Sequence, residues 1–569
     1  MLNCSACDSE YFISKNCMPI QSHLSRQKNP YVINLCDSFV RSSAANTKFG
    51  PREQLNENTA FIDASMIYGS NNCIAKYLRK NVGGRLRSQS PALNINKDSI
   101  KIATDLFETQ CQTILNIDCF LTGDPRANTP MVASFYMLFI NEHNRIANEL
   151  SKYNPSWRDE ELYQETRKII GAMVQHITFN EFLPKLMGNE NMKRYNLYLE
   201  DMKNAEYYDN YNDKCEPGIR NSFSTAAFKF FDLILSKTNS NLKESQPSSA
   251  KNGKLFQFLS QTDDSHGKLE WIIKTITSTR IDDISFGQNA NILNQLLPAK
   301  GKLLDPISYH IQRGRDHGLP SYIDFIKFCN ISINLKDLKK QNEELKYSNL
   351  LSLLVNLYDH IEDIDVFMGA LAETPSSGAI IGPTLSCLIA TQFYYIKNCD
   401  RFWYENNLSN TGFTLDQLNE IRKISLAKVI CNNLDTIHYT QPQVMAPFNL
   451  RNRKVSCKTL YNIDLRKWSK SEVCYEKGFE IEKGAYHVIS PCNVCYCPFT
   501  GNKARCNSVK IENCFQLFVQ HPREKILEDE SCLIQCSFVF QLPIGNENPA
   551  QITNANNNTS SFLDPIKIK

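Results

Sequence analysis

The 569-residue chain lacks any block of like charge, and its 63 basic and 60 acidic residues leave a formal net charge of only +3. That balance argues against the basic footprint of a nucleic-acid-binding protein and against a charged interaction arm. No uninterrupted apolar run approaches the length needed to cross a bilayer, so a soluble chain without a membrane span is expected. The amino terminus lacks a charged-then-apolar leader: Met1-Leu2-Asn3-Cys4 runs on into polar residues.

Cysteine, in contrast, is abundant. Twenty-one cysteines are far more than a cytosolic enzyme carries and point to an oxidising compartment. Sequons at Asn3, Asn330, Asn407, Asn557 and Asn558 agree with secretion. A cysteine-dense chain with no leader is most simply read as a fragment or incomplete gene model lacking material before residue 1; a cytosolic protein is the alternative.

Helical periodicity dominates to about residue 465. Leu162, Ile169, Ile170, Met173, Val174 and Ile177 form one apolar stripe, which predicts an amphipathic helix over Leu162–Ile177. Val132–Leu150 and Leu350–Leu357 are similarly helix-compatible, and strand-like alternation is scarce, so this part is expected to be mainly α. Asn239–Lys254, rich in Ser, Asn and Lys, reads as an exposed loop.

After residue 470 the texture changes. Cys474, Cys492, Cys495, Cys497, Cys506, Cys514, Cys532 and Cys536 crowd a short span with little apolar periodicity, as in a small module stapled by disulfides. Zinc is the competing reading of Cys492-x2-Cys495 and of Cys4-x2-Cys7, and a histidine-poor chain argues against it. Asn546–Lys569 is Asn-rich and is expected to be a disordered tail.

Several blocks carry a family resemblance: PREQLNENTAFIDASMIYGS (51–70), CFLTGDPRAN (119–128), NEHNRIANEL (141–150), LYQETRKIIGAMVQHITFNEFLPKLMG (162–188), IQRGRDHGLPSY (311–322), GPTLSCLIATQF (382–393) and RFWYEN (401–406). In this order they resemble the animal haem peroxidase family, and peroxidasins within it. The order of cysteines behind them resembles a von Willebrand factor type C module, with some expected cysteines absent. The resemblance implies a mainly α fold in three parts: a haem peroxidase-like domain over 1–465, a type C-like module over 466–540 and a tail over 541–569. It also implies Cys111–Cys119, Cys329–Cys387 and Cys431–Cys457 disulfides. Cys399 replaces a usual glycine, Cys73 and Cys215 are extra, and the odd total leaves a thiol free or joined to another chain.

The same resemblance assigns the site residue by residue. Peroxide chemistry needs a distal base, a distal cation and an iron held from below. Arg126 of GDPRAN matches the distal arginine, although a salt-bridging arginine at a helix start has the same look. The distal histidine would lie before Cys4, in a DHD-type motif outside this chain. On the proximal side, FSTAAFKFFDLIL (223–235) resembles a helix that reads FSTAAFRFGHTLI in the family. Asp232 therefore stands where the iron-binding histidine should be, and Phe231 stands in place of glycine. A carboxylate is a shorter, harder donor than imidazole, and the added ring needs room. His310 occupies the position of the asparagine that supports the proximal histidine. Asp232 and His310 either form a charge-assisted hydrogen bond in the vacated pocket or changed independently. Arg313 and Arg315 match positions that support a haem propionate and the local fold, and arginines at a helix end also serve structure alone. Thr129 replaces the glutamate from which the family's haem ester is made. His143 and His176 lie in helical patterns and read as structural.

For calcium, Thr59, Phe61, Asp63 and Ser65 match a loop that offers hydroxyl, carbonyl and carboxylate oxygens to a hard cation. The second aspartate of that site adjoins the absent distal histidine, so weak or partial binding is expected; a capped helix start is the plain alternative. The implied reading is a secreted pseudo-peroxidase, with haem b expected of the family but not bound. It would act as a scaffold among extracellular-matrix or cell-surface proteins, and as a disulfide-linked oligomer through its odd thiol. The rivals are a working peroxidase that oxidises halides or matrix substrates, and a broken locus.

Overall fold

The computed structural model describes residues 4, 14–22, 35–45, 50–87, 123–124, 130–200, 206–233, 265–278, 306–332, 348–407, 412–469, 473–498 and 503–540. The chain divides into two compact units, Met1–Ser469 and Lys470–Lys569. The expected loop at Asn239–Lys254, the Cys111–Cys119 pair, Arg126, Thr129 and the Asn-rich tail all lie outside the described residues.

The first unit is built around two long helices, Pro130–Tyr153 and Asp159–Ile177. The apolar stripe read from the sequence faces the core: Leu162, Ile169, Ile170, Met173 and Ile177 are buried and Val174 is half-buried. Asn154 closes the corner between the two helices, donating from Nδ2 to the carbonyls of Leu150 and Trp468, each at 3.2 Å. Three acidic residues in the first turn of the second helix favour its positive end. Two of them, Asp159 and Glu160, bind Arg79, whose guanidinium lies 4.0 Å from the centre of the Tyr163 ring.

That helix does not simply stop. A π-helical turn at Thr178–Phe182 joins it to the Leu183–Arg194 helix, where Pro184 has no N–H to continue the ladder. Gly188 then turns the chain at φ +76°, and a Cβ there would sit 2.9 Å from the Ser377 carbonyl oxygen. Only glycine suits both demands.

Pro383–Cys399 runs through the core with thirteen buried residues. Its first turn is closed by Glu373, which accepts from the Thr384 N–H at 2.7 Å, the Thr384 hydroxyl at 2.5 Å and the Tyr322 hydroxyl at 3.0 Å. Disulfides Cys329–Cys387 and Cys431–Cys457 are present as the resemblance implied. Cys215 and Cys399, which have no place in the family pattern, are bonded to each other. Cys4 pairs with Cys17, and Cys73 is a free, exposed thiol among the described residues.

The second unit pairs Val473–Glu476 with Phe479–Glu482 in an antiparallel hairpin. Lys477 and Gly478 turn it with φ of +45° and +85°, the positive pair that a two-residue hairpin favours. A three-stranded sheet follows, in the order Tyr486–Ser490, Asn493–Tyr496, Arg505–Ser508. The short helices Cys514–Gln520, Arg523–Leu527 and Glu530–Phe540 complete the unit, although the sequence there shows little helical period. Half-cystines supply most of the buried interior, with Leu517, Ile526 and Ile481. The pairs Cys474–Cys497, Cys492–Cys532, Cys495–Cys506 and Cys514–Cys536 account for all eight cysteines, so neither Cys492 nor Cys495 is a zinc ligand. Asp529 lies beside the Cys492–Cys532 bond but accepts from Cys492 N, Asn493 Nδ2 and Ser531 N at 2.8–3.1 Å. It organises the turn and is not part of a metal site.

Candidate functional site

The segment whose Asp232 the resemblance sets at the iron-ligand position begins as a short helix, Asn221–Thr225, breaks at Ala226 (φ −126°, ψ −69°) and continues as a 3-10 turn over Ala227–Leu233. Eclipsing at i and i+3 in that tighter turn brings the Phe228 and Phe231 rings to 5.0 Å. Phe231 also lies 4.1 Å from Phe230 and stacks on Phe182 of the π-helical turn at 5.9 Å. Phe223 continues this aromatic wall to Phe393 of the Pro383–Cys399 helix at 6.0 Å. The backbone of Asp232 belongs to this turn; its side chain lies outside the described residues.

His310 sits on the Pro306–Asp316 helix, half-buried, with its ring edge against Phe367 at 5.3 Å between centroids. The bond imagined between Asp232 and His310 thus has one partner outside the described side chains. One turn further on, Arg313 is engaged by protein: Nη1 donates to Ser42 Oγ at 2.8 Å and to Val40 O and Asp316 at 3.3 Å, and the guanidinium lies 4.2 Å from the Phe39 ring centre. Burial holds its pKa below the usual arginine value. Arg315 makes a bidentate pair with Asp365 at 2.8 and 3.1 Å.

Sequence reasoning missed the hub of this region. The fully buried Asp316 carboxylate accepts from Arg41 Nε at 2.6 Å and Ser42 N at 2.8 Å. His317 bridges Ser42 Oγ at 2.7 Å and Asn221 Oδ1 at 3.0 Å, and so ties the amino-terminal segment to the start of the substituted helix. The only sequence cue was the RDHG run itself, which named the residues but not their partners.

The four residues that the resemblance assigns to calcium lie in one loop. Thr59 Oγ1 donates to Phe61 O at 3.2 Å and lies 3.4 Å from Ser65 Oγ, while Asp63 Oδ1 accepts from Ser65 N at 2.9 Å. Ala64, in the left-handed region at φ 57°, makes the bend and precedes the Ser65–Tyr68 helix. Gln175 clamps the loop, donating to Ile62 O at 3.0 Å and Asp400 Oδ2 at 3.1 Å and accepting from Tyr404 N at 2.9 Å. Burial raises Asp400 to about 6, with the Asp63 charge adding to the effect. Gly123 of GDPRAN donates from N to Met66 O at 2.8 Å, and a Cβ there would lie 2.1 Å from Ser65 O. The GDPRAN motif therefore starts directly against this loop, though Arg126 itself is outside the described residues.

His143 and His176 are buried and held near pKa 4, by burial above all. His143 is taken by Tyr68 Oη at 2.7 Å and Gly84 O at 2.8 Å, and His176 by Tyr404 Oη at 2.9 Å.

Haem held by imidazole needs a nitrogen donor on the substituted turn. Phe230, Phe231 and Asp232 provide none, and Arg313, which the resemblance sets at a propionate position, already uses Nη1 for Ser42, Val40 and Asp316. The residues of that turn do not supply the imidazole this group needs. Neither of two described cavities, about 240 and 360 Å3, is lined by residues of this turn or of the Pro306–Asp316 helix.

Residues 2–445 match the family model described as animal haem peroxidase. The chain is 33% identical over 453 residues to "Probable oxidoreductase PXDNL" of Homo sapiens, covering 76% of this chain and 30% of that protein. It is 34% identical over 467 residues to "Peroxidasin homolog" of Homo sapiens, covering 80% of this chain and 30% of that one. It thus spans about 30% of the length of these curated relatives. Among solved structures, peroxidase A from Dictyostelium discoideum aligns with a TM-score of 0.57 at 24% identity, over 76% of this chain and 82% of that chain, a likeness of fold.

Proposed function

This chain belongs to the animal haem peroxidase family as a peroxidasin-like member, and we propose that it no longer performs peroxide chemistry. One observation carries the reading: an aspartate, Asp232, stands on the turn that should present the iron's imidazole. Two others support it. Phe231 is packed into an aromatic wall, and Arg313 Nη1 is engaged by Asp316, Ser42 and Val40. Haem b is then not held, and the remaining site is a calcium loop of Thr59, Phe61, Asp63 and Ser65 with partial affinity.

The role is that of a secreted scaffold among matrix or cell-surface proteins, with 466–540 acting as a type C-like module. Eight disulfides with both partners described favour an oxidising compartment, and Asn330 and Asn407 are exposed where a glycan could attach. The exposed thiol of Cys73 offers a route to a disulfide-linked oligomer. The test is peroxide turnover by the purified chain after incubation with haemin. Rates no greater than those of free haemin are expected; turnover above that level would restore the reading as a working oxidoreductase.

A further inference from the structure

A cavity of about 360 Å3 opens in the first unit, away from the substituted turn, and its lining has an unusual composition. Four asparagines, Asn196, Asn210, Asn212 and Asn398, surround it with Tyr394, Tyr395 and the half-cystine Cys215. None of these described lining side chains carries a charge.

The floor is fixed. Asn398 is buried, accepts from the Tyr208 hydroxyl at 2.6 Å and donates to Tyr394 O at 2.7 Å, while its own carbonyl receives the Asn212 N–H at 2.8 Å. The Cys215–Cys399 bond pins the strand of chain carrying Asn210 and Asn212 to the end of the Pro383–Cys399 helix. Tyr395 is held under Arg220, whose guanidinium lies 4.6 Å from the ring centre, and Tyr394 stands perpendicular to it. The rim is open: Asn196, Asn210, Asn212 and Tyr394 are exposed. Asn196 holds a left-handed backbone at φ 53°, a conformation that asparagine tolerates well. The nearby Lys397 is not a free cation, because Nζ donates to Tyr198 O at 2.6 Å and lies 4.3 Å from the Tyr208 ring centre.

This lining narrows the ligand by chemistry. With no counter-charge, it gives no reason to bind a phosphate, carboxylate or ammonium group. The Asn398 amide is already taken by Tyr208 and Tyr394, and Asn212 Oδ1 accepts from Lys214 N at 2.9 Å, but a purely apolar ligand would still strip water from the exposed rim amides of Asn196, Asn210 and Asn212. What suits it is a molecule with hydroxyls that both donate and accept, matching the two faces of a carboxamide, and with C–H surface for the faces of tyrosine rings. The volume falls within the roughly 300–1,000 Å3 of small-ligand sites. The geometry points to a binding site for a neutral saccharide, a mono- or disaccharide unit, walled by the Cys215–Cys399 bond. The site owes nothing to haem, so it goes beyond the function proposed above, and its failure would leave that reading untouched.

The test is saturation-transfer NMR on the intact chain with mannose, N-acetylglucosamine and lactose as separate probes and glucuronate as a charged comparator. Transfer to at least one neutral sugar is expected, weakened ~10-fold or more by Tyr394→Ala or by Asn210→Ala at unchanged melting temperature. Should Asn210→Ala lower the melting temperature, Tyr394→Ala alone decides, since that ring is exposed at the rim. No transfer to any of the three sugars overturns the assignment. So does transfer that survives in the deciding variants, or tighter binding of glucuronate than of the neutral probes.

Discussion

Phe231 stacks on Phe182 with ring centroids 5.9 Å apart and planes 25° apart, linking the substituted turn to the π-helical turn between two core helices. The Phe231 ring is therefore part of the packing. The turn is fitted to an aromatic ring.

Phe231→Ala should accordingly destabilise the chain by about 2 kcal/mol, less than full loss of a buried phenylalanine because the ring is half-buried. Denaturant unfolding followed by fluorescence measures it. Stability unchanged within error would mean that the stack contributes nothing.

Cys215→Ala combined with Cys399→Ala should cost about 2–5 kcal/mol, because the bond closes a long loop of the unfolded chain, its partners being 184 residues apart. The double variant should melt well below the parent, and mass spectrometry of the parent should recover the Cys215–Cys399 peptide pair.

Stability should respond to pH in two opposed ways. Burial lifts Glu181 from 4.5 to about 7, so between those values the folded state holds the proton that the unfolded state has lost, and stability declines as pH rises toward 7. His143 and His176 are lowered from 6.5 to about 4, so the unfolded state binds more protons in that window and stability declines as pH falls from 6.5 toward 4. Glu181→Gln keeps an acceptor for Leu426 N and removes the first effect. The variant should gain stability relative to the parent by up to ~1.4 kcal/mol per pH unit between pH 4.5 and 7, read from urea titrations.

Calcium should raise the melting temperature, and Asp63→Ala should abolish that rise, because Asp63 is the carboxylate among the four loop residues. At a concentration of ~100 times the dissociation constant, the stabilisation would approach ~2.7 kcal/mol. An equal rise in Asp63→Ala places the ion elsewhere.

Much of the fold could be read from residues alone where the signal was local. The stripe from Leu162 to Ile177 marks its helix because burial repeats with the helical period, and the cysteine spacing after 470 marks a stapled unit. Long-range partnerships were not legible. Cys215 and Cys399 stood out as surplus without pointing to each other, and nothing in RDHG says that Asp316 binds Arg41, 275 residues away. The helices over Cys514–Phe540 escaped notice because disulfides, more than an apolar stripe, hold them in place. At the candidate site Thr59, Phe61, Asp63 and Ser65 lie close in sequence and share one loop, whereas the engagement of Arg313 by Ser42 and Val40 depends on a segment some 270 residues distant.

The most direct measurement is a haemin titration of the intact chain followed at the Soret band, with Phe231→Gly plus Asp232→His as the control that restores the family pair. The account predicts no saturable, histidine-coordinated ferric spectrum in the parent and the appearance of one in the double variant. A stable, stoichiometric band with histidine ligation in the parent would contradict it.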